Sequence, residues 1–389
     1  MDILKRAPTF LRMIFADERF WLAVYFVTAG IASTVCIGRQ CNNFIIFRSA
    51  FAHVVSGVNL YAPHPVEHAD LFKYSPTFAL LFAPFAITPY SVALVTWNFL
   101  TVTLIFAALR LALDRADRLV AIQLTGLGLI TTIDGTQTNG IIAALIVFAF
   151  AAFERGRIRS AATLIAGGTL IKLFPAAALA FAVPRKDRWR FGAAFLMVFS
   201  GLVALPLFVT PVSTLLAQYQ SWYSMGSVDA LDRGASVMRL MHDLMGYDGP
   251  NWPVQLAGTA LLMLPLARGA WSDPAHRRSF MGSLLVYSVI FNHKAEQPSY
   301  IIAIVGIAVW YAVGPRSLAK TVMTGLVFAS TVPVFIWVAH QRFFGDVILP
   351  LEYTAATCTV AWLAIQVELL DLVPEGSAAL AEAEMQPAD

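Results

Sequence analysis

The chain has 389 residues, of which 58% are hydrophobic and only 13% charged, with a formal net charge of +3, and its mean hydropathy is +0.68. Soluble domains carry close to twice that charged fraction, so a water-soluble enzyme is excluded. The small, scattered positive charge speaks against a nucleic-acid partner, and a polytopic membrane protein remains, folded as one all-α bundle.

Lys5, Arg6, Arg12 and Arg19 precede an apolar run from Phe20 to Ile37. That run is too long for the apolar part of a cleaved signal peptide and predicts a retained first helix with its N-terminus in the cytoplasm. Apolar stretches fall at about 20–38, 76–89, 91–110, 119–133, 140–153, 161–183, 191–210, 252–267, 279–291, 300–313, 319–339 and 347–367. They predict roughly eleven to thirteen membrane passes. Basic groups at Arg110, Arg115 and Arg118, at Arg155, Arg157 and Arg159, at Arg185 to Arg190, at Arg268, Arg277 and Arg278, and at Arg316 and Lys320 mark cytoplasmic ends.

Two segments strain this assignment. Two crossings between Ser75 and Leu109 would put Arg110 outside and one would put it inside; the sequence leaves both open. In 161–183, Gly167, Gly168, Lys172 and Pro175 interrupt the apolar run between two basic loops, which predicts two half-helices meeting inside the bilayer. From Arg190 the predicted path is outside by Pro211, inside at Arg268, outside at Asn292, inside at Gly314, outside at His340 and inside after Val367. Residues 1–370 therefore read as a single membrane domain, with 39–75 and 211–250 as its large extracytoplasmic loops. Residues 371–389 read as a disordered cytoplasmic tail. The run from Ser213 to Asp248 predicts an interfacial helix, and no internal repeat is visible.

Chemistry concentrates in the outward connections. In the first loop, Phe44 to Val55 predicts an amphipathic helix in the headgroup layer. Extended chain follows at Tyr61-Ala62-Pro63-His64-Pro65, and Glu67, His68 and Asp70 precede the next helix. Transfer of a group to a hydroxyl needs a carboxylate or imidazole to remove its proton, and these three are candidates. The segment Asn292-His293-Lys294-Ala295-Glu296 places charges beside the bilayer, where a charge costs several kcal/mol unless paired or hydrated. Lys294 or His293 could bind a phosphate with Glu296 orienting it, and Lys172, inside an apolar run, could do the same. Each of these also fits an ordinary interfacial loop or a lysine reaching toward water. The spacing of His53, His64, His68 and His293 matches no ligand pattern, so no metal is expected. Cys36, Cys41 and Cys358 show neither metal spacing nor a disulfide framework and read as packing residues.

Asn43-Phe44, Phe47, Gly57, Asn59-Leu60-Tyr61, Lys73-Tyr74-Ser75-Pro76-Thr77, Ala83-Pro84-Phe85 and Trp97-Asn98 resemble the opening module of the bacterial glycosyltransferase family 87. That family includes polyprenol-phosphate-mannose-dependent mannosyltransferases. Gln137-Thr138-Asn139 and Ile171-Lys172-Leu173-Phe174-Pro175 are similar to two later motifs, so the resemblance spans about residues 40–190. It implies a GT-C fold in the inner (plasma) membrane, with an extracytoplasmic active site and inverting transfer of a hexose, mannose favoured, from a polyprenyl-phosphate donor to a lipid-linked or cell-envelope glycan acceptor. No cofactor is implied, since the polyprenyl-phosphate sugar is a substrate.

One departure stands out. Family members usually carry an aspartate where this chain has Asn43, and an amide cannot act as a general base. Either the base has moved, with Asp70 first and Glu67 and Glu296 after it, or the protein binds a lipid-linked sugar without transferring it. Lys172, Lys294, His293 and Arg48 are the candidates for the donor phosphate. Asn43, Tyr61, His68, Lys73, Tyr74, Gln137 and Asn139 are those for the sugar or acceptor. A transporter or flippase is the rival class; it predicts charges along a path open to both faces and repeated halves, whereas here the charges gather at one face.

Overall fold

The computed structural model describes residues 13–228, 231–267, 270–332 and 351–371. Lys5, Arg6, Arg12, Arg268, His340, the end of stretch 319–339, the start of stretch 347–367 and the predicted disordered tail from 372 onward lie outside the described residues. Among the described residues there are helices and connections and no strand.

The chain opens with α1 (Glu18–Arg39) and α2 (Asn42–Ser56), followed by an irregular loop to Ser75. Two short helices, α3 (Pro76–Leu81) and α4 (Ala83–Ile87), lead into the long α5 (Tyr90–Ala112). Then come α6 (Arg115–Gly128), α7 (Ile130–Ile133), α8 (Asn139–Glu154) and α9 (Ile158–Ile171), a 3-10 helix (Phe174–Ala182), and α10 (Arg188–Ala204). The second half comprises α11 (Val212–Val228), α12 (Val237–Met245), α13 (Asn251–Ala267), α14 (Pro274–Ile290), α15 (Tyr300–Ala312), α16 (Leu318–Thr331) and α17 (Leu351–Leu369). Among the described residues, three helices are individually long and apolar enough to cross a membrane: Glu18–Arg39, Tyr90–Ala112 and Arg188–Phe208. Asn139–Glu154, Ile158–Ile171, Gln297–Ala312 and Leu318–Thr331 are shorter apolar helices.

Hydrophobic pattern decides which helices are central. α8 and α15 are apolar on every side, and nearly all their residues are buried; a helix without a polar face has to be surrounded. α15 packs on α14, α6, α16 and α8. Its contact with α14 is backbone to backbone: a Cβ on Gly306 would lie 2.5 Å from the Gly282 carbonyl oxygen, and one on Gly282 would lie 2.7 Å from that of Gly306. Small residues at such crossings let helices approach where lipid offers no competing hydrophobic drive. α10, by contrast, buries only Phe191 and presents its apolar surface outward.

Both strained segments resolve. α3 and α4 together are a broken stretch of about 18 Å at 1.5 Å per residue, too short for a hydrocarbon core of about 30 Å. They pack on α2 instead of crossing, so α5 is the single pass between Ser75 and Arg110. The basic loops then meet at one end of the bundle. Arg155 donates to the Leu111 carbonyl at 2.7 Å, Arg278 pairs with Asp114 at 2.6 Å, Arg277 with Glu154 at 2.8 Å and Arg118 with Glu18 at 2.5 Å.

The second segment breaks at Lys172, whose backbone is extended at φ −142° and ψ 152°. A Cβ on Gly168 would lie 2.9 Å from Pro175 Cβ, so the 3-10 helix starts folded against the end of α9. Its far end returns to the basic side, with Phe181 5.5 Å from Phe150 between ring centroids. The expected break and reversal are therefore present, with the apex at the level of Asn139, the N-terminus of α8.

A correction concerns the cysteines. Cys36 and Cys41 form a disulfide, with Cα atoms 5.2 Å apart. Gln40 between them takes a left-handed conformation, φ 54°, which turns the chain out of α1 and brings the two together. Only Cys358 is a free, buried packing residue among the described residues.

Candidate active site

The end of the bundle opposite the basic loops gathers the first loop, residues 134–139, the break at Lys172, the start of α15 and part of α11. Each piece is fixed by identifiable contacts. α2 forms because Phe44, Ile46, Phe47, Ala50 and Val54 share a face that it buries, and Phe47 packs edge-on against Tyr74, Phe78 and Phe82. Arg39 pairs with Asp134 at 2.9 Å. The Asn43 amide donates to the Gly135 carbonyl at 2.9 Å. Gln137 closes its own turn by donating from its backbone N–H to Thr132 O at 3.0 Å. Gln218, on α11, holds the first loop from the other side, accepting from Leu60 N at 3.0 Å and donating to Val58 O at 2.7 Å.

At the centre lies Lys172. Its Nζ donates to the Oδ1 of buried Asn139 at 2.9 Å and sits 5.6 Å from the centroid of the Tyr74 ring and 5.9 Å from that of Phe174. Tyr74 is buried; its hydroxyl accepts from Thr138 at 3.5 Å, and its carbonyl accepts the Tyr61 hydroxyl at 2.8 Å. Ser75 caps α3 by accepting from Phe78 N at 3.2 Å, and its hydroxyl donates to the Leu170 carbonyl, locking the loop end to α9 beside the break. Glu296 is exposed and lies within electrostatic reach of both Lys172 and Tyr74. It caps the short turn before α15 through Ser299.

Asp70 is exposed and pairs with Lys73 at 3.0 Å. Partial burial pushes its carboxyl up, but the Lys73 ammonium and the Leu71 N–H outweigh this and hold it below the usual aspartate range. His68, buried, donates from Nδ1 to the Asp70 carbonyl at 2.6 Å. The Lys73 carbonyl accepts the Trp222 indole N–H at 3.3 Å. An open pocket of about 470 Å³, lined by Asn59, Tyr61, Gln220, Ser221, Ser224 and Met225, adjoins this face.

Four other candidates engage different partners. Arg48 donates to the carbonyls of Phe85 at 2.5 Å and Thr88 at 2.8 Å, closing the C-terminus of α4. Lys294 pairs with Asp232 at 2.9 Å, whose carboxyl it holds low against the opposing effect of burial. Nδ1 of His293 lies 3.2 Å from Gln255 Nε2. Glu67 faces His53 Nε2 at 3.1 Å; burial raises its carboxyl, and the hydrogen bonds from His53 and Ser49 more than offset that. Trp222, Thr138 and Gln218 are not among the site residues the sequence points to. Thr138 lies within a quoted motif, whereas Trp222 and Gln218 come from a helix whose docking onto the first loop carries no local signal.

The arrangement is a cation at a helix break, cradled by an amide and an aromatic face, with two carboxylates from opposite loops near enough to act electrostatically on the same tyrosine. No curated protein matches the sequence. Among solved structures, the chain is similar to ArnT from Cupriavidus metallidurans, determined bound to undecaprenyl phosphate, at 15% identity and a TM-score of 0.45 over 94% of this chain and 77% of that one. The sequence model of glycosyltransferase family 87 matches residues 72–291, beginning one residue before Lys73-Tyr74-Ser75-Pro76 and running through Asn139 and Lys172 to the end of α14, and the chain belongs to that family.

Proposed function

We propose that the protein transfers a hexose, mannose favoured, from a polyprenyl-phosphate carrier to a lipid-linked or cell-envelope glycan on the extracytoplasmic face, with inversion. The observation that carries this reading is Lys172. Placing an ammonium in an apolar bundle is expensive, yet here the chain breaks a helix at it and supplies an amide and a π-face. Lys172 is half-buried, and a phosphate bound at its remaining N–H donors completes that coordination.

In the proposed reaction a carboxylate takes the proton of the acceptor hydroxyl as its oxygen attacks the anomeric carbon. The bond from that carbon to the phosphate oxygen breaks, and its electron pair stays on the departing lipid phosphate. Lys172 faces the charge that grows there, an interaction stronger in the transition state than in the ground state. Asp70, kept ionised by Lys73, is assigned as the base, with Glu296 the alternative across the site.

Asn43 supports a relocated base over lost activity. Its amide N–H is spent on the Gly135 carbonyl, so this position anchors the 134–139 loop, and a carboxylate there would face a carbonyl oxygen. The disulfide at the end of α1 supports an oxidising, extracytoplasmic location for the face, and the clustered basic loops support a cytoplasmic opposite end.

The test is transfer of radiolabelled sugar from synthetic short-chain polyprenyl-phosphate mannose, with the glucose analogue in parallel, to host lipid extract. A labelled product with wild type and none with Asp70→Asn supports the donor class and the base. Equal product from both variants refutes the assignment of Asp70, and no product with either donor refutes the hexose assignment.

A further inference from the structure

The first loop contains a second cluster that the glycosyl-transfer reading does not use. His53 lies near the C-terminus of α2 and is buried, His64 is half-buried, and Glu67 is exposed. Their potential ligand atoms all lie within 4.8 Å of one another. The chain arranges this with a single turn. Pro63 and Pro65 restrict the backbone on either side of His64, and the amides of Glu67 and His68 donate to the His64 carbonyl at 2.9 and 3.0 Å. That turn sets Glu67 beside His64 and presses both onto α2, where the His53 and His64 rings approach to 4.1 Å between centroids.

One donor nitrogen is already fixed for ligation. His64 Nε2 contacts the Asn59 carbonyl at 2.9 Å. A carbonyl can only accept, so Nε2 carries the proton, and in the neutral imidazole Nδ1 keeps its lone pair. Fixing a ligand imidazole through its other nitrogen in this way is the usual outer support of a metal site. His53 Nε2 lies 3.1 and 3.2 Å from the two carboxylate oxygens of Glu67, close to the edge of about 3.3 Å of a tetrahedron with bonds of about 2.0–2.1 Å. Two imidazoles and one carboxylate make a borderline donor set suited to zinc, with a fourth position toward solvent.

We propose that His53 Nε2, His64 Nδ1 and a Glu67 carboxylate oxygen form a binding site for a divalent transition ion of the zinc class, which fastens residues 57–70 to α2. Binding replaces the proton on His53 Nε2 with the metal and releases that proton to solvent. The site is next to the proposed chemistry without being part of it: His68, in the same turn, holds the Asp70 carbonyl, so the ion stiffens the base-bearing loop.

The test uses full-length protein in detergent, with any affinity tag removed, stripped with chelator and dialysed against zinc alone. Elemental mass spectrometry then gives the metal content, and thermal unfolding is followed with and without zinc. Wild type and His242→Asn, a histidine on α12 outside the cluster, are expected to hold one ion per chain and to unfold at a higher temperature with zinc. His64→Asn and Glu67→Gln, both at solvent-accessible positions, are expected to lose the ion and the shift while eluting as wild type in size exclusion. Cobalt loading of wild type supplies a reading independent of the variants, a tetrahedral visible spectrum. Metal content at background in wild type overturns the proposal, and so does undiminished binding in both loop variants. Neither readout depends on turnover, so the outcome is separate from that of the transfer assay.

Discussion

Lys172→Met isolates the feature on which the functional reading turns. Methionine keeps the contact with the Tyr74 and Phe174 rings, since its sulfur packs well against aromatics, and removes only the charge. A unit charge at about 4 Å, with an effective dielectric near 20, is worth about 4 kcal/mol. The donor phosphodiester already carries one negative charge, and as the bond to the sugar breaks the leaving phosphate approaches two. Only that increment separates transition state from ground state. For half to full development it amounts to about 2–4 kcal/mol, a fall of about 30- to 1000-fold in kcat. The ground-state share weakens donor binding and raises KM as well. Lys172→Arg keeps the charge at a displaced position and is expected to recover part of kcat. The assay is initial-rate transfer over a range of donor concentrations. Because the substitution also leaves the Asn139 Oδ1 without its donor, at about 1–3 kcal/mol of stability, thermal unfolding of the same preparations must show a folded protein. A folded Lys172→Met enzyme with kcat within about threefold of wild type would refute the role assigned to the cation.

Four further outcomes are expected. Asp70→Asn lowers the transfer rate by about 100- to 10,000-fold, the usual range for loss of a positioned base, while leaving donor binding nearly unchanged in a flotation or filter assay. Since a base works only when ionised, and Lys73 holds Asp70 low, wild-type activity persists below the usual aspartate range, and Lys73→Met shifts the acid limb of the pH–rate profile upward; an unmoved limb argues for Glu296. Denatured protein reacts with one maleimide-polyethylene glycol per chain before reduction and three after it, as the Cys36–Cys41 disulfide and free Cys358 require, and replacing both paired cysteines with serine costs about 2 kcal/mol by loop-closure entropy for so short a loop. Gly306→Val drives a side chain into the Gly282 carbonyl and lowers stability by about 1–3 kcal/mol, read as a lower unfolding midpoint, with Gly325→Val, where a Cβ meets nothing within 4 Å, as the control.

The helical bundle was legible because lipid leaves the chain few choices: long apolar runs must be helices, and those without a polar side must be central. The reversal at Lys172 was also legible, because glycines, a lysine and a proline inside one apolar run contradict a straight helix. What escaped was pairing across distance. Arg48 read as a phosphate ligand because its charge was visible, whereas the carbonyls of Phe85 and Thr88 it satisfies belong to a helix end fixed only by tertiary packing. The partner of Lys294 is Asp232, sixty-two residues away. The disulfide was missed because joining cysteines five residues apart at a helix end needs the left-handed turn at Gln40, a conformation glutamine does not advertise. The cluster of His53, His64 and Glu67 escaped because one residue comes from a helix and the other two from the turn that begins at Pro63.

Asn43 links these observations. Read as a sequence it marks the loss of a base; in the structure its amide fastens the first loop to the Gly135 carbonyl, three residues before Thr138, which meets Tyr74, and four before Asn139, which holds Lys172. A carboxylate at this position would lose that bond and repel the carbonyl, loosening the same contacts that place the cation. Restoring the acid with Asn43→Asp is therefore expected to lower activity rather than raise it, by disturbing the loop that positions Lys172. The base belongs on a segment that can carry charge without opposing a backbone oxygen, and Asp70, facing Lys73 at the outer surface, meets that condition.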